Sequence, residues 1–455
     1  MKGLLKYLSP FAPDQSGAVS VLFELGGITV ICDAGGCTGN VCGFDEPRWF
    51  SRKSAIFSAG LRDMDAILGR DDRLADKLKD TAAKVDASFA AVIGTPVPAV
   101  IATDYRALER MTQKRCGIPV LSIECTGTRL YDEGEEDTYL KLFQKFAGKA
   151  ATAAGKAGEM AGSEENGREA ARTAKAFGGG KEVEKIAGSE ENGKEAAGTE
   201  KNVGGGKETG KKKILGVLGM TPLDISRTDG DRPVKGKYLA EGWNEVFCYG
   251  MGGDLSEICR AGEADKNLVV SPAGLKAAKY LEKTFGTPYE EVYPFLTEED
   301  KEKLHALAGK RVLILHQQAA ANEIRREIRR AKTADSNTAD GKPVNGNMAN
   351  GKTAYRNTMN GNTVDEYAMN RNTVDGKPVN GKTADEITAA TFFMQKKEWK
   401  EPQDFRLSTE DELADAVRTG GYDAIVGDKM FRRALPDFTG EFLEMPHFAV
   451  SGSLL

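Results

Sequence analysis

The sequence predicts an α/β protein of three parallel-sheet domains, and three observations carry that expectation. Short apolar runs alternate with stretches of helical spacing; the alternation falls into three blocks; and the two segments that interrupt the blocks hold almost no large apolar residues. A chain of 455 residues also exceeds one ordinary core, so several domains are expected.

In the first block (1–148), AVSVLFELGGITVICDA leads as helix or strand into a buried strand over 28–32. SFAAVIGT (88–95) and IPVLSIEC (118–125) are short apolar runs of central-strand type. Between them, 71–85 places Leu74, Leu78 and Ala82 on one helical face, and 104–114 does the same with Tyr105, Leu108 and Met111. These helices should cover the sheet.

The second block (213–309) reads KKKILGVLG (211–219), EVFCYG (245–250) and NLVVS (267–271) as strands, then a helix over 274–285 stopped by Gly286. The third (310–332 and 386–455) opens on KRVLILHQ (310–317) and a helix over 319–330. It resumes at ITAATFFM (387–394) and ends with ELADAVRTGGYDAIVGD (412–428) as helix, turn and strand. Each block has the strand and helix order of a Rossmann-like domain.

The interrupting segments repeat themselves. In 149–212, AGSEENGREA at 161 recurs as AGSEENGKEA at 187, and GGGKE at 178 recurs at 204; in 333–385, DGKPVNG occurs at 340 and 375. Stacked repeats would need recurring apolar positions to bury, and these units offer only isolated Val, Met or Ala. Two disordered low-complexity insertions are the expectation. Within the second, GNMANGKT (346–353) and GKPVNGKT (376–383) spell a phosphate-binding loop. Such a loop works only between a strand and a helix N-terminus, and no strand precedes either copy, so no nucleotide should bind this chain.

Lys and Arg number 63 against 68 Asp and Glu, a formal charge of −5 that offers nucleic acid or an anionic membrane no electrostatic attraction. No apolar run reaches the roughly 18–20 residues needed to span a bilayer, and Pro10 interrupts the first residues before a signal core can form. A cytoplasmic protein is expected. Seven cysteines, an odd number in a long chain, argue against a disulfide framework and for reduced thiols able to bind metal.

The stretch richest in chemistry is ELGGITVICDAGGCTGNVCGFDEPRW (24–49), where a buried strand enters a glycine-rich loop bearing Cys37 and Cys42. Gly35 and Gly36 before Cys37, and Gly39 after it, let the backbone approach a bulky group, and the carboxyl end of a parallel strand is where such sheets bind ligands. An iron–sulfur cluster suits that description. The same cysteines, with Cys32, also suit small hydrophobes in a tight loop. C-x4-C-x4-C is not an established ligand pattern and a four-iron cluster takes four thiolates, which a twofold dimer could supply by doubling.

Four elements, SPFAPDQSGA (9–18), ELGGITVICDAGGC (24–37), FDEPRW (44–49) and GLRDMDAILG (60–69), together resemble the amino-terminal domain of nitrogenase component 1 proteins, above all the short relatives from anaerobic bacteria. The resemblance continues through 255–289 into the second block and through 309–328 and 422–452 into the third, leaving only the insertions without a counterpart. It implies that Cys37 is the glycine-flanked cysteine that ligates a cluster shared between subunits. IPVLSIECTGTR resembles the family strand ending in Cys-x-Gly, which brings Cys125 near the cluster as ligand, neighbour or core residue. Phe11 and Pro96 stand where larger subunits carry further cysteines, so the resemblance implies a simple four-iron, four-sulfur cluster across a dimer, with Cys42 as the added ligand.

The implied function is that of a component 1 oxidoreductase subunit. It would accept electrons from an ATP-dependent iron protein, as a homodimer or as a heterodimer with a related component 1 subunit, and reduce a substrate. A scaffold or carrier for metallocofactor assembly, and a binding protein without a cluster, stay open beside it. Cys248 follows a strand, but its flanks do not match a cofactor-bearing cysteine. His305, His316 and His447 are expected to be surface or packed residues, and no Ser/His/Asp or zinc constellation emerges.

Overall fold

The computed structural model describes residues 5–148, 212–339 and 387–455. Apart from Lys212 and the backbone of 333–339, the two low-complexity segments lie outside the described residues, as do both phosphate-loop spellings.

Three sheets, each wholly parallel, form the frame. The first contains β1 (Ile28–Ile31), β2 (Ala55–Ser58), β3 (Ala90–Ile93) and β4 (Val120–Ile123) in the order β2-β1-β3-β4. The second repeats that order with β5 (Ile214–Leu218), β6 (Glu245–Cys248), β7 (Lys266–Val269) and β8 (Tyr289–Glu291), as β6-β5-β7-β8. The third runs β11-β10-β9-β12-β13, from β9 (Val312–Leu315), β10 (Ile387–Thr391), β11 (Phe405–Arg406), β12 (Ala424–Gly427) and β13 (Glu441–Glu444). The strands β1, β3, β4, β5, β9, β10 and β12 are buried along their whole length, which is why they read as continuous apolar runs rather than alternating ones. The expected α/β class with three parallel sheets is the observed one.

Helices cover the sheets where the spacing put them. The helix Asp71–Ala82 buries Leu74, Ala75 and Leu78, and Tyr105–Cys116 buries Tyr105 and Leu108 and is capped by Asp104, whose side chain accepts from the amides of Arg106 and Ala107 at 3.0 and 2.9 Å. Leu275–Phe285 stops at Gly286, whose φ of 77° lies in the left-handed region. One expectation is corrected at an edge. The helix Gln318–Ala339 continues through 333–339, where coil was expected; that stretch contains no Gly or Pro to stop it, and the first glycine is Gly341.

The chain forms two compact units. The smaller, Met1–Leu8, Leu296–Phe392 and Lys397–Met445, holds the third sheet, packed around Leu304, Val312, Ile324, Ile328 and Val426. In it the buried Arg325 pairs with Asp404, and Glu410 accepts the amides of Lys6, Tyr7 and Leu8 at 2.8, 2.9 and 2.7 Å.

The larger unit, Ser9–Phe295, Phe393–Lys396 and Pro446–Leu455, holds the first two sheets. Four of its helices matter for the site: α1 (Asp14–Leu22), α2 (Gly36–Asn40), α3 (Tyr131–Phe146) and α4 (Pro222–Ile225). α1 is buried at every position, and it crosses α3 with backbones in contact. A Cβ on Gly17 would lie 1.9 Å from the Tyr131 carbonyl oxygen, and one on Gly134 would lie 1.9 Å from that of Asp14. Only glycine at both positions permits so close a crossing.

Candidate functional site

β1 ends at Ile31, and the chain turns through Asp33 into the glycine loop. Gly35 has φ 123°, a conformation that L side chains rarely adopt, and it starts α2, which carries Cys37. A π-helical turn, Val41–Asp45, follows directly and carries Cys42. Nothing lies within 4 Å of a Cβ added at Gly35, Gly36, Gly39 or Gly43, so the space over the loop is open.

The loop is held from beneath by buried and half-buried polar groups. Asp33 accepts the Thr38 amide at 2.7 Å and the Ser58 hydroxyl at 2.6 Å. Asp45 accepts from Ser16 Oγ of α1 at 2.6 Å and from Asn40 Nδ2 at 2.8 Å. Arg48, 0 % exposed, spends all five guanidinium hydrogens: on Glu46 twice at 2.7 Å, on Glu24 at 3.3 Å, on the Ser20 carbonyl at 2.6 Å and on the Gly250 carbonyl at 3.0 Å. Its plane also covers the Phe23 ring at 4.7 Å. The cysteine loop is thereby tied both to α1 and to the loop that follows β6.

Cys37 and Cys42 are half-buried thiols. Burial raises both above the ordinary thiol value, helped by the charge of Asp33 at Cys37 and of Glu46 at Cys42. The Thr95 hydroxyl beneath the loop donates its hydrogen to the Cys32 carbonyl at 2.6 Å. Cys125 is buried, packed where its backbone meets Gly94, and burial followed by the charge of Asp14 pushes its thiol well up. Cys32 is buried as well, its thiol pushed up to about 12, chiefly by burial. Cys248, the last residue of β6, is closed off from solvent. The structure thus brings Cys37 and Cys42 together on one open loop and keeps Cys125 inside. Among the described residues, no three His, Cys, Asp or Glu side chains form a group able to hold a metal ion.

At the carboxyl end of the first sheet, where the cysteine loop leaves β1, the segments that follow β2 and β3 also carry uncovered apolar side chains. Phe44 is 75 % exposed, Ile67 after β2 is 74 % and Val100 after β3 is 85 %, with Met64, Leu68, Val97 and Ile101 exposed beside them. Apolar side chains grouped at one sheet edge mark a surface that meets another molecule. Behind the loop lies a cavity of about 600 Å³, walled by Phe11, Asn40, Phe44 and Asp45 on one side and by Leu223, Phe448 and Val450 on the other.

The sequence profile of the nitrogenase component 1 type oxidoreductases matches residues 16–344. The chain belongs to that family. No curated protein matches its sequence. A solved structure described as nitrogenase Cp1 at pH 6.5 superposes with a TM-score of 0.57 at 10 % identity, covering 98 % of this chain and 87 % of that one. A second, described as nitrogenase Cp1 at pH 5, gives 0.44 at 14 % identity over 74 % and 58 %. The first shows that this nitrogenase component 1 relative shares the fold of a nitrogenase chain.

Several residues at this site have no announcement in the sequence. Arg48 sits in the FDEPRW element, yet nothing in its spacing declares a fully buried guanidinium. Asp33 and Thr95 each stand just past a buried strand, the position from which a short polar side chain reaches the neighbouring loop, and that is the signal by which they could have been found. No helix among the described residues is long and apolar enough to cross a membrane.

Proposed function

We propose that this chain is a subunit of a nitrogenase-like component 1 reductase, accepting electrons from an ATP-dependent iron protein through an iron–sulfur cluster held at Cys37. The supporting observation is the pairing of two half-buried thiols with an uncovered apolar edge.

Cys37 and Cys42 fit half of a four-iron cluster: open space lies over their loop, and two thiolates from each of two subunits make the four that such a cluster takes. The second subunit is another copy of this chain or a related component 1 protein, seated on Phe44, Ile67 and Val100. When bound, the cluster supplies a one-electron relay. The protein's own residues do the rest. Since both thiols are raised, occupying the site must displace their protons. Arg48 and Asp33 fix the loop so that the thiols need not be ordered at the moment of binding.

Full-length protein purified without oxygen should contain iron and sulfide and show visible cluster absorbance. Cys37→Ser should abolish that absorbance and Cys248→Ser should keep it; full iron content in Cys37→Ser defeats the assignment. An open thiol edge also suits a carrier on which a metallocofactor is assembled. Electron consumption with an iron protein and ATP supports the reductase, whereas a cluster that is handed on without turnover supports the carrier.

A further inference from the structure

The second sheet repeats the strand order of the first, and the carboxyl end of β5 takes the place that the cysteine loop takes on β1. Two carboxyl groups meet there. Asp224 on α4 and Glu135 on α3 are both 0 % exposed, and both reach the Thr221 hydroxyl, Glu135 at 2.6 Å and Asp224 at 3.5 Å. Thr221 Oγ1 donates to Glu135 Oε1 at 2.6 Å, while no N–H or O–H donor reaches the buried Oε2. The Tyr131 hydroxyl donates to Asp224 Oδ1 at 3.2 Å and lies 3.0 Å from His447 Nε2.

Among the described residues, no Lys or Arg forms an ion pair with either carboxyl. α1 presents Gly17 to it, with the Glu135 Cγ only 2.9 Å from where a Cβ would stand. From α3 come Asp132, whose oxygens accept the Glu133 and Met394 amides, and Tyr139, whose hydroxyl donates to the Tyr249 carbonyl. From the carboxyl-terminal segment comes His447, and Arg48 has given its hydrogens to the cysteine loop and its neighbours. Two adjacent ionised carboxylates in dry surroundings are strongly disfavoured, so the pair keeps a proton. Burial, then the charge of Asp224, holds Glu135 well above its ordinary range; burial pushes Asp224 up to about 6, against the hydrogen bonds it accepts. The proton belongs to the pair rather than to either carboxyl alone.

We propose that Glu135 and Asp224 form a buried proton-binding site, and that Tyr131 and His447 are its exit toward the cavity beside the cysteine loop. Leu223 and Phe448, the chain neighbours of Asp224 and His447, wall that cavity. Phe11 on the same wall packs with its ring centroid 5.1 Å from that of Phe393, whose own centroid lies 4.7 Å from that of the His447 ring. In transfer, the Tyr131 hydroxyl turns its hydrogen from Asp224 to His447 Nε2, and the proton held by the pair then passes from Asp224 to the Tyr131 oxygen as the Tyr131 proton passes to His447 Nε2. One proton has moved, His447 is imidazolium and the pair is left as two carboxylates. Because that state is disfavoured, the proton departs only when a group in the cavity takes it. Its use in a reduction rests on the reductase reading; the site itself does not.

The test uses the purified full-length chain with no cofactor added. At neutral pH its infrared spectrum should contain the C=O stretch of a protonated carboxylic acid that shifts in heavy water. Glu135→Gln, which keeps the Thr221 contact and can donate an amide hydrogen to Asp224, should remove that band without loss of fold. Raised folded-state values add stability that is complete below the unfolded carboxylate range near ~4 and is lost as pH climbs through about 6 and above. Denaturation midpoints of the wild type should therefore fall over that window, and those of Glu135→Gln should fall less. Tyr131→Phe should keep the band but slow its hydrogen–deuterium exchange roughly tenfold. A wild type without the band, or a band unchanged in Glu135→Gln, overturns the site; unchanged exchange in Tyr131→Phe overturns the exit. A chain that lacks iron yet shows the band loses the reductase reading and keeps the proton site.

Discussion

The carboxyl ends of β1 and β5 occupy the same position in two sheets of identical strand order, and they are finished in opposite ways. At β1 the chain leaves through glycines into an open loop with two half-buried thiols and an exposed apolar rim. At β5 it leaves through Thr221 into the short helix α4, sealed by α3 until Asp224 has no exposed surface. The strand end of a parallel sheet is where chemistry can be placed. What covers it decides which chemistry: soft ligands that need an outside partner at the open end, proton-holding carboxyls that need dryness at the closed one.

The sharpest way to break that contrast is to loosen the open end. Arg48 is the buried bolt under the cysteine loop, and Arg48→Ala leaves Glu46 as an uncompensated buried carboxylate. Breaking a buried pair in this way costs about 3–5 kcal/mol, so the denaturation midpoint should drop steeply. Labelling of Cys42 by a thiol reagent should quicken as well. If stability held and labelling did not change, the loop would be shaped by its own helical turns rather than by Arg48.

The two ends also differ in how readily they are read from sequence. β1, β3 and β5 are short unbroken apolar runs, and burial on both faces of a parallel sheet leaves few other ways to use such runs. The cysteine loop shows itself through Gly35, Gly36 and Cys37 and through the resemblance of its surroundings to a known family. The closed end is silent. α3 starts YDEGEEDTY, an acidic stretch whose charges read as a solvated face, although Tyr131, Glu135, Tyr139, Leu142 and Phe146 share one side at helical spacing. Charged residues are so seldom buried that Glu135 and Asp224 give no local sign of their state. Their pairing arises where α3 meets α4, a contact between residues 86 to 93 apart in the chain.

A smaller effect sharpens the link between the two ends. Adjacent residues of α1 serve both: Ser16 donates to Asp45 of the cysteine loop, and Gly17 faces Glu135. Ser16→Ala removes one hydrogen bond and should cost about 1 kcal/mol, because Asn40 still donates to Asp45. Burial already holds Asp45 above its ordinary value and the Ser16 bond opposes that rise, so in the variant the rise grows. A raised carboxyl loses its stabilising proton as pH increases, so the deficit of Ser16→Ala should be smaller in mild acid than above neutrality. A deficit independent of pH would mean that Asp45 does not titrate with the fold.

The smallest effect on the fold is expected at the rim, and it tests why one strand end is left open. Val100 is exposed within the chain, so Val100→Asp should alter the stability of a dissociated subunit by no more than about 0.5 kcal/mol. If a second subunit covers this edge, the same substitution buries an unpaired charge in the contact and should lower association by two orders of magnitude or more, roughly 3 kcal/mol, in sedimentation equilibrium. Glu241→Gln, on the helix-end turn after Asp231–Ala240, changes a charge away from the rim and serves as the matched control. A rim that tolerates Asp at Val100 with association intact would leave Cys37 and Cys42 facing solvent, and the open end of β1 would then need some covering other than a second subunit.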